Sequence, residues 1–160
     1  MSGAVVLRDA VPDDEALVAQ FVRALAEYEK LLDEACGTEA DFRRALFGTP
    51  PRAWALVAEL EEEPVGFAVW CYSFSTFAGR PGLFVEDVFV VPEQRGCGIG
   101  RQIFRHLARR ALDEGCARME WRVLNWNTPA INFYRSIGAR PLDAWTDQRL
   151  EGAALQSFAA

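Results

Sequence analysis

The stretch VVPEQRGCGIG, residues 90–100, joins an apolar run to the most regular amphipathic segment of the chain. Glycines let the backbone approach an anion closely, and the unpaired N–H groups at a helix start favour a phosphate, best of all a pyrophosphate. The spacing lacks the Gly-Lys-Ser/Thr of a P-loop and differs from the Gly-x-Gly-x-x-Gly of dinucleotide-binding folds. On spacing alone, anion binding and a simple change of chain direction are equally good interpretations.

The segments on either side of this turn have opposite periodicities. Residues 83–91 form a β-rich run that stops at Pro92, which cannot donate to a strand ladder. From Ile99 onward, apolar residues recur at helical spacing until Gly115, a favourable residue for a helix end. The pattern predicts a strand, a glycine-rich turn and a long helix.

The rest of the chain is interpreted in the same way. Predicted strands cover residues 4–8, 53–60, 65–74, 118–124 and 142–150, with a solvated hairpin turn at 61–64 and a second turn at 79–82. Predicted helices run from Leu17 to Gly37, from Thr38 to Gly48, over 130–137 and over 151–160. Thr38 and Asp41, three residues apart, predict a capping box at the start of the second of these helices. The sum is a single α+β domain over residues 1–160, with a mixed, mostly antiparallel central sheet, flanking helices and one parallel crossover.

Composition limits the class of partner. The chain has 160 residues, 51% of them hydrophobic, and a formal net charge of -6, which disfavours nucleic acid and suits a cationic small molecule. No apolar run is long enough for a membrane helix. The cysteines lack metal-binding spacing and His106 is the one histidine, so we expect no metal and free thiols in a reducing cytoplasm.

Residues 95–100 match the acyl-coenzyme A motif Arg/Gln-x-x-Gly-x-Gly/Ala, so the chain resembles the GCN5-related N-acetyltransferase (GNAT) superfamily. Residues 83–90, 126–134 and 138–139 resemble its diamine branch, the spermidine/spermine-type and thialysine acetyltransferases, in order and spacing. The resemblance implies a GNAT-like fold with acyl-CoA in a cleft between splayed strands, acetyl-CoA as co-substrate and a homodimer. It also implies direct transfer of an acetyl group to a primary amine of a small polycationic or lysine-like acceptor.

The resemblance also implies specific site residues. The cofactor site would comprise Val88, Phe89, Val90, Arg95, Gly96, Cys97, Gly98, Ile99, Gly100, Arg101, Asn127 and Tyr134. The acceptor would contact Tyr28, Glu29 and Glu86. Tyr134 would be the general acid for the departing thiolate.

Glu86 is the predicted proton acceptor. An alkyl amine has a pKa of ~10.4 and arrives protonated, so a carboxylate must take its proton, directly or through water. Strict strand alternation predicts that Glu86 and its neighbour Asp87 face opposite ways.

Structural interpretations of these residues stay open. Glu86 also suits a surface salt bridge, Tyr134 a helix core stripe and Asn127 a helix N-cap. Cys97 fills a variable motif position, and His106 is expected to lie on a helix outside the site. Two other functions remain alternatives: a non-catalytic acyl-CoA-binding regulatory domain, and an acetyltransferase of protein lysines or N-termini.

Overall fold

A computed structural model describes residues 3–160, which form two compact units that divide after Arg122. The first unit contains β1 (Val5–Asp9), α1 (Glu15–Tyr28), α2 (Glu39–Phe47), β2 (Trp54–Leu60), β3 (Glu63–Ser75), β4 (Arg80–Val90), α3 (Ile99–Asp113) and β5 (Met119–Trp121). The second, Val123–Ala160, contains α4 (Thr128–Ser136) and α5 (Gly152–Ala159). None of the helices in residues 3–160 has the length and apolar character needed to cross a membrane.

The strands of the first unit form one five-stranded sheet in the order β1-β2-β3-β4-β5. Neighbours are antiparallel from β1 to β4, whereas β5 runs parallel to β4 after the α3 crossover. Glu61 and Glu62 both have positive φ and form the two-residue β2–β3 turn, since such turns twist with the strands they join. The predicted mixed, mostly antiparallel sheet is confirmed.

Both faces of this sheet carry a hydrophobic core. On one face, α3 buries Ile103 and Leu107 in a cluster with Leu83 and Val85 of β4. On the other face, α1 packs against the strands, and the rings of Phe21 and Phe67 stack with centroids 5.3 Å apart. The two faces are called the α3 face and the α1 face below.

Helix α1 ends earlier than its apolar periodicity predicts. Lys30 adopts a positive φ of 62°, and the N–H groups of Lys30 and Leu31 donate to the carbonyls of Glu27 and Ala26. This is the Schellman arrangement that usually requires glycine, here formed by lysine. The predicted continuation of the helix to Gly37 is therefore wrong, and Glu29 is the C-cap residue of α1. By contrast, the capping box of Thr38 and Asp41 at the start of α2 is confirmed.

Three of the strand predictions also need correction. β4 begins at Arg80, because the turn lies at residues 76–79, so the turn predicted at 79–82 is wrong. β5 has three residues rather than the predicted 118–124, since its pairing with β4 ends at Val85. In the second unit residues 142–150 form no strand, because Trp145 donates to the Leu142 carbonyl in a turn. The terminal helix α5 is confirmed.

Candidate active site

The pairing of β4 with β3 is irregular at Glu86, the predicted proton acceptor. Asp87 pairs with Val69 of β3 and Val85 pairs with Trp70, so Glu86 is an extra residue without a partner. Such a β-bulge places two residues of one strand opposite one of the other and interrupts the alternation of side chains.

The bulge reverses which face each later residue of β4 takes. Val85 packs in the core of the α3 face, so strict alternation would direct Asp87 to that face too. However, Asp87 pairs with Val69, which lies in the core of the α1 face, and paired residues point the same way. Val85 and Asp87 therefore lie on opposite faces, so the strict alternation from which the orientations of Glu86 and Asp87 were predicted does not hold across this bulge.

Asp87 is the most perturbed carboxyl group in this region. Burial raises its pKa to about 6, and the negative charges of Glu86 and Glu29 contribute to the shift. Burial also raises the pKa of Glu29, which the cap of α1 holds in place. We call Glu29, Glu86 and Asp87 the acidic cluster. Its mutual repulsion makes it a region of strong negative potential that favours a cationic ligand.

Asp87 is a residue that the sequence argument missed. The signal was present, since Glu86 and Asp87 are two consecutive acids inside an otherwise apolar strand. The family resemblance implies a role for Glu86 alone, and the bulge places Asp87 on the α1 face, where Glu29 contributes to its pKa.

Tyr28 lies beside the acidic cluster, next to Glu29. The guanidinium carbon of Arg95 lies 4.6 Å from the centroid of the Tyr28 ring and 5.3 Å from that of Phe89. The Arg95 Nε donates to the Val90 carbonyl at 2.9 Å. These contacts connect Tyr28, which is predicted to bind the amine substrate, to Arg95 at the start of the glycine-rich turn.

The glycine-rich turn has the backbone geometry of an anion site. Gly96 and Gly98 have φ values of +79° and +82°, which L side chains rarely adopt, and Gly98 caps the start of α3. A Cβ at Gly96, Gly98 or Gly100 would meet no atom within 4 Å, so the space in front of the turn is open. Within residues 3–160, the N–H groups of residues 96–100 donate to no carbonyl outside the helix. This arrangement fits a pyrophosphate.

The second half of β4 supplies an open backbone edge. β5 pairs with Leu83, Phe84 and Val85 and then ends, so within residues 3–160 positions 87–90 of β4 pair with β3 alone. The predicted positions Val88, Phe89 and Val90 lie on this unpaired edge. Such an edge presents N–H and C=O groups that can bind an extended ligand.

The remaining predicted residues are placed as follows. In the second unit, Asn127 is buried and its side-chain oxygen accepts from the Ala130 N–H at 3.4 Å, as a helix N-cap. Tyr134 is half-buried on α4, with its ring centroid 5.6 Å from that of Phe133. In the first unit Cys97 is exposed, and His106 lies on α3 beside β1. Residues 3–160 contain no group of metal-binding side chains.

Comparison with known proteins decides the family. The profile of the acetyltransferase (GNAT) family matches residues 18–139. The chain belongs to this family. A thialysine N-epsilon-acetyltransferase from Sus scrofa is 37% identical to this GNAT chain, with 97% of each protein covered. A spermidine/spermine N(1)-acetyltransferase-like protein from Homo sapiens is 31% identical over 86% of this chain and 21% of its own length.

A solved structure agrees with these sequence relatives. An integron cassette protein from the mobile metagenome of V. cholerae superposes with a TM-score of 0.80 at 28% identity, with 97% of each chain covered. The predicted GNAT-like fold is thereby confirmed. Membership makes this GNAT protein an acetyl-CoA-dependent N-acetyltransferase of amines, rather than a non-catalytic binding domain.

Proposed function

We propose that this acetyltransferase acts on a small amine with a second positive charge, either a lysine-like amino acid or a polyamine. The observation that carries the proposal is the acidic cluster, in which Glu86 and Asp87 lie at the bulge of β4 and Glu29 lies at the end of α1. The raised pKa of Asp87, caused by burial and by the charges of Glu86 and Glu29, supports it. A cationic acceptor would neutralise part of this repulsion, whereas a neutral aryl amine would not.

The names of the two relatives support the same class of acceptor. One is named for thialysine, an amino acid, and the other for spermidine and spermine. The thialysine relative covers nearly the whole chain at the higher identity, so we favour the lysine-like acceptor over the polyamine.

Within the first unit, we assign cofactor binding to two segments. The open turn and the unpaired edge of β4 fit the pyrophosphate and the extended arm of the cofactor, respectively. The proposed residues of the first unit are Val88, Phe89, Val90, Arg95, Gly96, Cys97, Gly98, Ile99, Gly100 and Arg101. In the second unit, the family resemblance implies cofactor roles for Asn127 and Tyr134.

Proton transfer is assigned to two side chains. Bound acetyl-CoA supplies the acetyl group as a thioester. Glu86, directly or through water, accepts the proton that the amine must lose before it attacks the carbonyl carbon. The Tyr134 hydroxyl would donate a proton to the sulfur as the carbon–sulfur bond breaks, and its phenolate would then take the second proton, which the nitrogen loses as the amide forms. Tyr28, Glu29 and Asp87 bind the part of the acceptor that carries the second charge.

We further propose that the chain acts as a single domain, as a homodimer and in the cytoplasm. Every residue from 140 to 160 is exposed, including Trp145 (77%) and Phe158 (83%). A second copy of the chain would remove these large apolar side chains from water. The four cysteines are unpaired, which suits a reducing compartment.

The test is a panel of amines incubated with the enzyme and acetyl-CoA, with release of free thiol as the readout. We expect thialysine, lysine and spermidine to be acetylated with higher kcat/KM than a neutral aryl amine. Tyr134→Phe should lower turnover by about 100-fold, the scale of general acid catalysis, with little change in affinity for acetyl-CoA.

The matched control is Tyr72→Phe, because Tyr72 accepts from the indole N–H of Trp70 and donates to Glu114. This variant should lose stability but retain turnover. If a peptide were acetylated efficiently and none of the small cationic amines were, the protein would instead be a protein acetyltransferase. Full turnover by Tyr134→Phe would leave Tyr134 a core residue.

A further inference from the structure

A groove between β1 and α3, separate from the acidic cluster and the glycine-rich turn, carries positive charge in a protein of net charge -6. The groove has a volume of about 290 Å³ and is lined by Val5, Leu7, Gln102, Arg105, His106 and Arg109. We call it the β1–α3 groove. Its lining combines apolar strand residues with two guanidinium groups.

Both arginines of the groove are exposed and make no ion pair with any residue from 3 to 160. Their neighbour Arg110 differs, since it binds Asp9 at 2.6 Å and lies near Glu114. Like charges at positions i and i+4 of a helix repel each other, so Arg105 and Arg109 disfavour the helix that holds them. An anionic ligand in the groove would remove this repulsion.

In the sheet formed by the described residues β1 is an edge strand, and its residues Val5 and Leu7 line the groove. The Ala10 N–H donates to the Ala55 carbonyl at 2.9 Å, which sets the phase of antiparallel pairing with β2. In that phase Arg8 and Val6 also bond to β2, whereas the N–H and C=O groups of Val5 and Leu7 point away from it. The groove thus offers backbone hydrogen-bonding groups as well as positive charge.

The spacing of the two arginines on α3 matches the spacing of side chains along one face of an extended strand. Arg105 and Arg109 are four residues apart, a rise of about 6 Å along α3. Side chains on one face of an extended strand repeat every two residues, or about 6.6–6.8 Å. A strand added to the edge of β1 would therefore place acidic side chains at alternate positions opposite both arginines.

We propose that the β1–α3 groove binds an extended acidic segment of a partner protein, which pairs with β1 as an additional strand. Carboxylates at every second residue of that segment contact Arg105 and Arg109. This inference does not depend on the acceptor proposed above, because none of the groove residues belongs to the acetyl-transfer site.

The probe is a labelled peptide as long as β1 in which glutamate alternates with valine, measured by fluorescence anisotropy with the full-length protein. The double variant Arg105→Glu/Arg109→Glu should weaken binding by about tenfold or more, since it reverses both charges. Arg23→Glu is the matched control, because Arg23 is an exposed arginine on α1 without an ion pair among the described residues, and it should bind as the wild type does. All three proteins should acetylate amines equally.

Two further measurements test strand addition itself. A peptide of the same sequence with N-methylated amides should bind at least about tenfold more weakly, because it lacks backbone donors. In the wild type, the bound peptide should slow hydrogen exchange of the Val5 and Leu7 amides. This second readout needs no variant.

Several results would overturn the proposal. Equal binding of the N-methylated peptide, or displacement by inorganic phosphate far beyond that by sodium chloride of equal ionic strength, would indicate a small-anion site. Dissociation of a dimer on peptide addition would assign the edge of β1 to a second copy of the chain. Absence of binding would remove the site altogether.

Discussion

The two halves of β4 have different neighbours and different roles. The first half, up to Val85, pairs with β3 on one side and β5 on the other, and it buries Leu83 completely. The second half, from Glu86 to Val90, carries Glu86 and Asp87 of the acidic cluster and the edge that leads into the glycine-rich turn. Among the described residues, its positions 87–90 pair with β3 alone. One strand therefore serves as structure in its first half and as candidate site in its second.

The change from one half to the other occurs at one inserted residue. An extra residue in a strand shifts the phase of its side chains, which moves Asp87 to the α1 face, where Glu29 also contributes to its pKa. The bulge disrupts the local ladder, and the pairing with β5 ends just before it. The acidic cluster and the open edge thus share one cause.

The largest expected effect is on stability, in the first half. Leu83→Ala should lower the free energy of unfolding by about 3–4 kcal/mol, because Leu83 is fully buried and its truncation leaves a cavity in the core. Its affinity for acetyl-CoA should not change. Urea unfolding and calorimetric titration measure the two quantities.

Val88→Ala in the second half is the matched comparison. Val88 is half-buried on the unpaired edge, so this variant should lose less stability than Leu83→Ala and should bind acetyl-CoA more weakly. The division of β4 into two roles would be wrong if both variants changed stability and affinity in the same proportion.

The next effect concerns the turn that follows the second half. Gly98→Val should weaken acetyl-CoA binding by about 100-fold, or about 3 kcal/mol, because a branched side chain would fill the open space before the N–H groups. Gly79→Val is the control, since Gly79 also has a positive φ and open space but lies in the β3–β4 turn. Both variants carry similar backbone strain, so equal affinities in the two would contradict the turn as the pyrophosphate site.

The sequence was sufficient wherever a local rule determined the structure. The Thr38 capping box, the glycine-rich turn and the four-residue repeat of α3 each act within one or two helical turns, and all appear as predicted. Predictions were wrong where the outcome depended on distant residues or on an unusual residue. Lysine at position 30 took the role of a capping glycine, and β5 ended where β4 changed phase.

In the candidate site, too, some features follow from local sequence and others depend on distant residues. The resemblance implied roles for Glu86 and Glu29 from their positions, whereas Asp87 becomes part of the acidic cluster through a bulge that no single residue type predicts. Its pKa depends on two other carboxylates, one of them on a different element, which no local pattern contains.

Asp87→Asn tests the electrostatic consequence of the bulge. The pKa of Asp87 is higher in the folded protein than in an unfolded chain, so the folded state binds more protons between pH 3.8 and about 6. Its contribution to stability therefore falls as pH rises through this range. At pH 7 the variant should be more stable by about 1–2 kcal/mol, seen as a higher Tm in a thermal melt.

The same variant should bind the acceptor less well. Wild-type KM for a cationic amine should rise as pH falls below about 6, because protonated Asp87 no longer attracts the cation. In Asp87→Asn, KM should be about tenfold higher at pH 7 and should depend less on pH. A variant with lower stability and unchanged KM would make Asp87 a structural residue.

The smallest expected effect belongs to Glu29, which reaches the second half of β4 from another element. A carboxylate at the end of α1 is unfavourable, because the carbonyl end of a helix is negative, and burial raises its pKa further. Glu29→Gln should therefore raise Tm slightly while it raises the acceptor KM by about three- to fivefold, with a smaller change in kcat. High salt should reduce the difference, since it screens the attraction between Glu29 and the cation. Glu27→Gln is the control, because Glu27 is exposed on the same helix and should leave KM unchanged. Equal KM values in the two variants would confine acceptor recognition to β4, and the bulge alone would then account for the cationic preference.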